Sequence, residues 1–210
     1  MVMPHPILTI GHSNHALPRF IALLQAAGVT AVADVRSAPV SRFAPHFNKD
    51  RLATSLAEQG MTYVFLGKEL GGRPQLPELF SDGVADYEKM AVAPAFKTGI
   101  ERLITGAESP RIAVMCAEVD PLDCHRCLLV GRALAEEGVD VGHILSSGQL
   151  LTHAEIEDRL LDLAGLTDEN LLGASRGERL AEAYRARARK DAYAVRKAPV
   201  SARGGRARRD

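Results

Sequence analysis

The sequence predicts a three-layer α/β fold, a mostly parallel sheet of about five strands with helices on both faces. Three observations predict it. Short apolar runs recur along the chain, each of a length and composition suited to a strand buried on both faces. Segments with apolar residues at helical spacing separate these runs, and Gly28, Gly60 and Gly138 stand where three such helices should stop. The resulting order, β-α-β-α-β-α-α-β-α-β-α, is that of parallel strands joined by helical crossovers.

Taken in order, Ile7 to Gly11 is the first strand, and "GHSNH" turns into a helix from Leu17 to Ala27 whose stripe is Leu17, Phe20, Ile21 and Leu24. Val29 to Val35 is the second strand. An irregular loop with two prolines follows, and Asn48 is placed to cap a helix over 49–59. Met61 to Leu66 is the third strand. The stretch 67–83 is too rich in Gly, Pro and polar residues to be regular, and its length hints at a functional loop. Helices over 84–91 and 94–106 come next, the second with Pro94 in its first turn. The fourth strand, 111–116, leads through an acidic loop into a helix over 124–137. Val139 to Leu145 is the fifth strand, and a last helix over 153–164 has Thr152 and Glu155 spaced as a capping box.

The domain is thereby placed at 1–170, with 171–210 as a basic tail. The chain carries 26 basic and 26 acidic residues, yet 176–210 holds twelve Arg or Lys against four Asp or Glu. So basic and apolar-poor a segment is expected to stay flexible, with at most a transient helix over 178–190, or to fold back loosely on the acidic body, and it offers a surface for nucleic acid or an acidic membrane. No apolar run is long enough to span a bilayer, and the start lacks a signal peptide's basic region and long apolar core, so a cytoplasmic protein is expected. Three cysteines, two of them inside one motif, argue against a secreted disulfide framework. Neither a Walker loop nor a dinucleotide glycine fingerprint occurs, which sets aside nucleotide triphosphatases and dehydrogenases.

In a parallel α/β sheet, ligands bind beyond the carboxyl ends of the strands. The polar constellations of this chain fall there: His12 and Ser13 after the first strand, Asp34, Arg36, Ser41 and Arg42 after the second, Gly71, Gly72 and Arg73 after the third. The fourth strand ends in the densest group, Cys116, Glu118, Cys124, His125 and Arg126, and the fifth carries His143. His12, Asp34 and Glu118 suit proton transfer, and Cys116, Cys124 and His125 suit nucleophilic or structural duty near a helix start. Ser13, Ser41, Gly71, Gly72 and the arginines 36, 42, 73 and 126 suit an anionic ligand, with internal salt bridging, Asp34 to Arg36 or Glu118 to Arg126, as the alternative. The spacing of the cysteines matches no zinc signature; a metal, if bound, would take Cys116, Cys124 and His125. No cofactor is identified by these residues.

The segments "TIGHS" (9–13), "DVRSAPVSR" (34–42), "LGGR" (70–73), "MCAEVDPLDCHR" (115–126) and "GHIL" (142–145) resemble, in order, the family described as domain of unknown function 488. That resemblance covers about 6–160, implies an α/β domain, matches the positions named above, His143 included, and adds Pro39, without implying an activity. A fainter likeness is to rhodanese-type sulfurtransferases, through "VADVRS" and the strand, Cys116, loop and helix. Three functions follow as expectations: a hydrolase or transferase with a pocket for an anionic, phosphate-bearing or nucleotide-like molecule; a cysteine-dependent sulfur transferase; or a nucleic-acid-associated module using the tail.

Overall fold

The computed structural model of the protein describes residues 5–167 and 173–195. From the amino end, β1 (Ile7–Gly11) is followed by α1 (Leu17–Ala26), β2 (Ala31–Asp34), α2 (Lys49–Ala57) and β3 (Thr62–Phe65). A small hairpin of β4 (Phe80–Ser81) and β5 (Val84–Ala85) precedes α3 (Tyr87–Ala91) and α4 (Pro94–Gly106). Then come β6 (Ile112–Cys116), a π-helical turn over Arg126–Gly131, α5 (Arg132–Glu136), β7 (Val141–Ile144), β8 (Leu150–Thr152), α6 (His153–Ala164) and α7 (Arg176–Asp191). No helix among the described residues is long and apolar enough to cross a membrane.

The sheet runs β3-β2-β6-β1-β7-β8; its first five strands are mutually parallel, and β8 closes the edge antiparallel to β7. The period of two sorts side chains cleanly between the layers. Ala113 and Met115 of β6 join Leu8, Ile10 and Val32 beneath α1 and α2, while Val114 and Cys116 join Ile7, Ala33 and Val35 beneath α4, α6 and α7. The chain therefore leaves β1 and β2 toward one face and leaves β6, which lies between them, toward the other. That divergence opens a crevice at the carboxyl end of β6, where α/β sheets place their ligands.

Several elements differ from expectation. The segment 84–91 is not one helix, because Asp82 and Gly83, at φ 53° and 80°, form the two-residue turn of a hairpin, and Asp86 then caps the short α3 through the N–H groups of Glu88 and Lys89. Asn48 does not cap α2 with its side chain; its Oδ1 accepts from Ser41 N at 2.7 Å and fastens the loop after β2 instead. The capping box of Thr152 and Glu155 is present. Residues 176–191 form a docked helix where the charge balance predicts a loose tail. Leu180, Ala183 and Tyr184 turn into the core, and Arg176, Arg185 and Arg187 pair with Glu157, Asp158, Glu88 and Asp123 of the body. The rest of the basic segment, 196–210, lies outside the described residues.

Candidate functional site

At the crevice, β6 delivers Cys116 and the loop after it returns Glu118, Cys124 and His125 to the same point. Cys116 Sγ and Cys124 Sγ lie 3.1 and 2.9 Å from Glu118 Oε2, so each sulfur shares a proton with one carboxylate oxygen. His125 Nδ1 stands 3.6 Å from Cys116 Sγ and 3.9 Å from Cys124 Sγ. The other ring nitrogen, Nε2, donates to the Val35 carbonyl at 3.0 Å, which directs the Nδ1 lone pair at the sulfurs. The ring fits because residue 72 is glycine: a Cβ there would come 2.7 Å from His125 Cγ, and one on Gly71 would meet Ser37 Oγ at 2.4 Å.

Arg126 is fully buried behind this group. Its guanidinium donates to the backbone carbonyls of Glu118 (2.7 Å) and Val119 (2.9 Å) and pairs with no carboxylate among the described residues. It thus fixes the loop that carries Glu118, and its charge acts on the neighbouring sulfur. Burial opposes ionisation of Cys124, yet the hydrogen bond from Cys116 and the Arg126 charge hold that thiol well below its ordinary value. Burial and the adjoining Cys124 push Cys116 up. Burial and the same sulfur raise Glu118. Burial works against protonation of His125, but its contact with Cys124 raises it overall.

A cavity of about 180 Å³ opens over this floor. Its walls include Arg36, Ser37, Arg73, Tyr87 and Tyr193. Arg73 is exposed, donates its backbone N–H to Ser37 Oγ at 3.0 Å and holds its guanidinium 5.3 Å from the Tyr193 ring centroid. A larger cavity of about 860 Å³ lies between β7, β8, α6 and α7, but none of the three cysteines lines it. Cys116, Glu118, Cys124 and His125 all line the smaller one.

The remaining residues singled out from sequence form other groups. Asp34 and Arg36 are an ion pair at 2.6 Å, both buried, with Tyr63 Oη donating to Asp34 Oδ2 and Arg36 also bonded to the Phe47 carbonyl and His12 Nε2. Burial lowers His12 to about 4, and its ring stacks on Phe47. These contacts favour the salt-bridging alternative for Arg36, which reaches the cavity only as part of its wall. Ser41 Oγ accepts from the N–H groups of Phe43 and Ala44, Ser13 Oγ donates to Asn14, and neither Ser41, Ser13 nor the exposed Arg42 lines the cavity. His143 belongs to an interior chain, Thr9 to His143 to His153 to Tyr184. Arg126 turns inward onto the 118 and 119 carbonyls and does not line the cavity, so it adds nothing to the rhodanese likeness. Sequence reasoning passed over Ser37, although it lies inside "DVRSAPVSR", and Tyr193, which no motif announces.

Two cysteines, a carboxylate and an imidazole over the carboxyl ends of parallel strands define an α/β protein with a thiol-bearing candidate site. The chain belongs to the family described as "Domain of unknown function DUF488", whose profile matches residues 16–133. That span contains the whole cluster, from Cys116 to Arg126, and stops short of "TIGHS", "GHIL" and Tyr193. No curated protein and no solved structure matches the chain.

Proposed function

We propose that the chain is an enzyme of the hydrolase or transferase class acting on a small anionic, phosphate-bearing substrate in the cavity at the carboxyl ends of β2 and β6. The observation that carries this reading is the meeting of Cys116, Glu118, Cys124 and His125 on one cavity floor with Arg73 at its rim. Among the described residues no carboxylate pairs with Arg73, so its planar fork is available for bidentate contact with a phosphate or carboxylate. The Ser37 hydroxyl adds a donor beside it. At about 180 Å³ the cavity has room for roughly six waters at ~30 Å³ each, which suits a phosphate-sized group. The nucleic-acid reading draws less support, because Arg176, Arg185 and Arg187 already face acids of the body.

The test is a thermal-shift series on the full chain with inorganic phosphate, sulfate, a nucleoside monophosphate and a dicarboxylate, repeated with Arg73→Ala. A ligand at about 100 times its dissociation constant adds about 2.7 kcal/mol. The reading predicts stabilisation by the phosphate compounds that disappears in Arg73→Ala. Equal shifts in both proteins, or none in either, would overturn it.

A further inference from the structure

We propose that Cys116, Cys124 and His125 hold one divalent transition-metal ion of the zinc class, with the fourth position open to the cavity and the Glu118 carboxylate beside the two sulfurs. The inference rests on the cavity being the functional site and names the group around which its chemistry is built.

Geometry is the first argument. The two Sγ atoms and His125 Nδ1 all lie within 4.8 Å of one another. A tetrahedral ion with Zn–S of ~2.3 Å and Zn–N of ~2.0–2.1 Å spaces sulfur and nitrogen about 3.6 Å apart. The two observed separations are 3.6 and 3.9 Å. Glu118 Oε2 lies against both sulfurs, 3.1 and 2.9 Å away, where it can take up the protons they release. Metal entry displaces the thiol protons, about two per ion.

The shell around the cluster is the second argument. A metal-bound imidazole ordinarily donates its other N–H to a carboxylate or backbone carbonyl, and His125 Nε2 does so to Val35. Arg126 holds the 118–119 carbonyls and so orients the Glu118 loop, while its buried charge offsets two thiolates and a carboxylate around one dication. Ligand softness is the third argument. Two sulfurs and an imidazole select zinc and its neighbours and disfavour magnesium or calcium, which take oxygen ligands.

A second buried triad, Cys127, His143 and His153, meets the same proximity criterion. It is the weaker candidate. The His143 and His153 nitrogens that would face an ion are bonded to each other at 2.9 Å, and their outer nitrogens are bonded to Thr9 and Tyr184.

The experiment is metal analysis of the full chain after reduction, loading with zinc or cobalt(II) and exhaustive dialysis, followed by X-ray absorption at the metal edge. The expected result is one ion per chain, about two protons released, and a first shell of two sulfurs with nitrogen and oxygen. With cobalt, intense thiolate charge-transfer and tetrahedral ligand-field bands should appear. Cys124→Ser should lose the ion or bind it at least tenfold more weakly, and Cys127→Ala should keep it. No retained ion, or a shell with one sulfur and two imidazoles, would overturn the assignment, and the wild-type spectrum decides this even if a variant fails to fold. Protein that forms a Cys116–Cys124 disulfide and refuses metal after reduction would overturn it too. Retained metal without any phosphate response would sink the anionic-substrate reading and leave this site standing; a phosphate response in metal-free protein that refuses metal would do the reverse.

Discussion

Acid should weaken this fold through its buried histidines, and His153 gives the effect a size. The ring is buried between β7, α6 and α7, bonded to His143 on one side and to Tyr184 on the other, with Glu157 3.9 Å from Nε2. Burial lowers its pKa from 6.5 to about 4. A depressed imidazole is neutral in both states above pH 6.5; between 6.5 and 4 the unfolded chain takes up a proton that the folded one refuses. Stability is therefore full at neutral pH and falls as pH drops through that window. At ~1.4 kcal/mol per pKa unit the loss reaches about 3 kcal/mol by pH 4, from this group alone. His143 and His12, also lowered by burial, add to it. Urea denaturation of wild type and His153→Gln across pH 4 to 7 measures the difference. The variant should be less stable at pH 7, having lost buried hydrogen bonds, yet decline less steeply with acid, by about 3 kcal/mol over the window. Parallel declines in the two proteins, or a His153 resonance titrating near 6.5, would refute the reasoning.

Three other perturbations have definite outcomes. Asp34→Asn leaves the Arg36 guanidinium buried without its countercharge and should cost about 3–5 kcal/mol in chemical denaturation, whereas Tyr63→Phe, removing one bond to the same carboxylate, should cost only about 1. Gly72→Ala drives a Cβ to within 2.7 Å of His125 Cγ, so it should cost about 1–3 kcal/mol and weaken both phosphate and metal binding, read by calorimetric titration. Truncation after residue 175 uncovers the face that α7 buries with Ala183 and Tyr184. It should lower the melting temperature, where a loosely held tail would leave it unchanged.

The parallel strands were legible because each is an apolar run bounded by turn residues, and β6 was clearest because its run ends abruptly in Cys116 and an acidic loop. The meeting of Cys116, Glu118, Cys124 and His125 was legible for a local reason: they flank one loop, so chain connectivity alone brings them near one another. Arg126 was not legible as an inward residue. Its burial depends on carbonyls at 118 and 119 that a strand-loop-helix pattern does not locate. The Asp34 and Arg36 pair stood as one of two alternatives, and only the Phe47 carbonyl and Tyr63, brought in by neighbouring elements, decide between them. β8 escaped notice because three residues, two of them exposed, carry no period; α7 was legible as a transient helix but its docking was not, because the acidic partners of its arginines come from distant parts of the chain.

The most direct test of the central claim is a crystal structure of the full chain soaked with tungstate, a heavy phosphate analogue located by its anomalous signal. The account predicts a peak in the cavity above Cys124, within hydrogen-bonding reach of Arg73 and Ser37. A peak on the outer basic residues of α7, with only water over the cysteines, would contradict it.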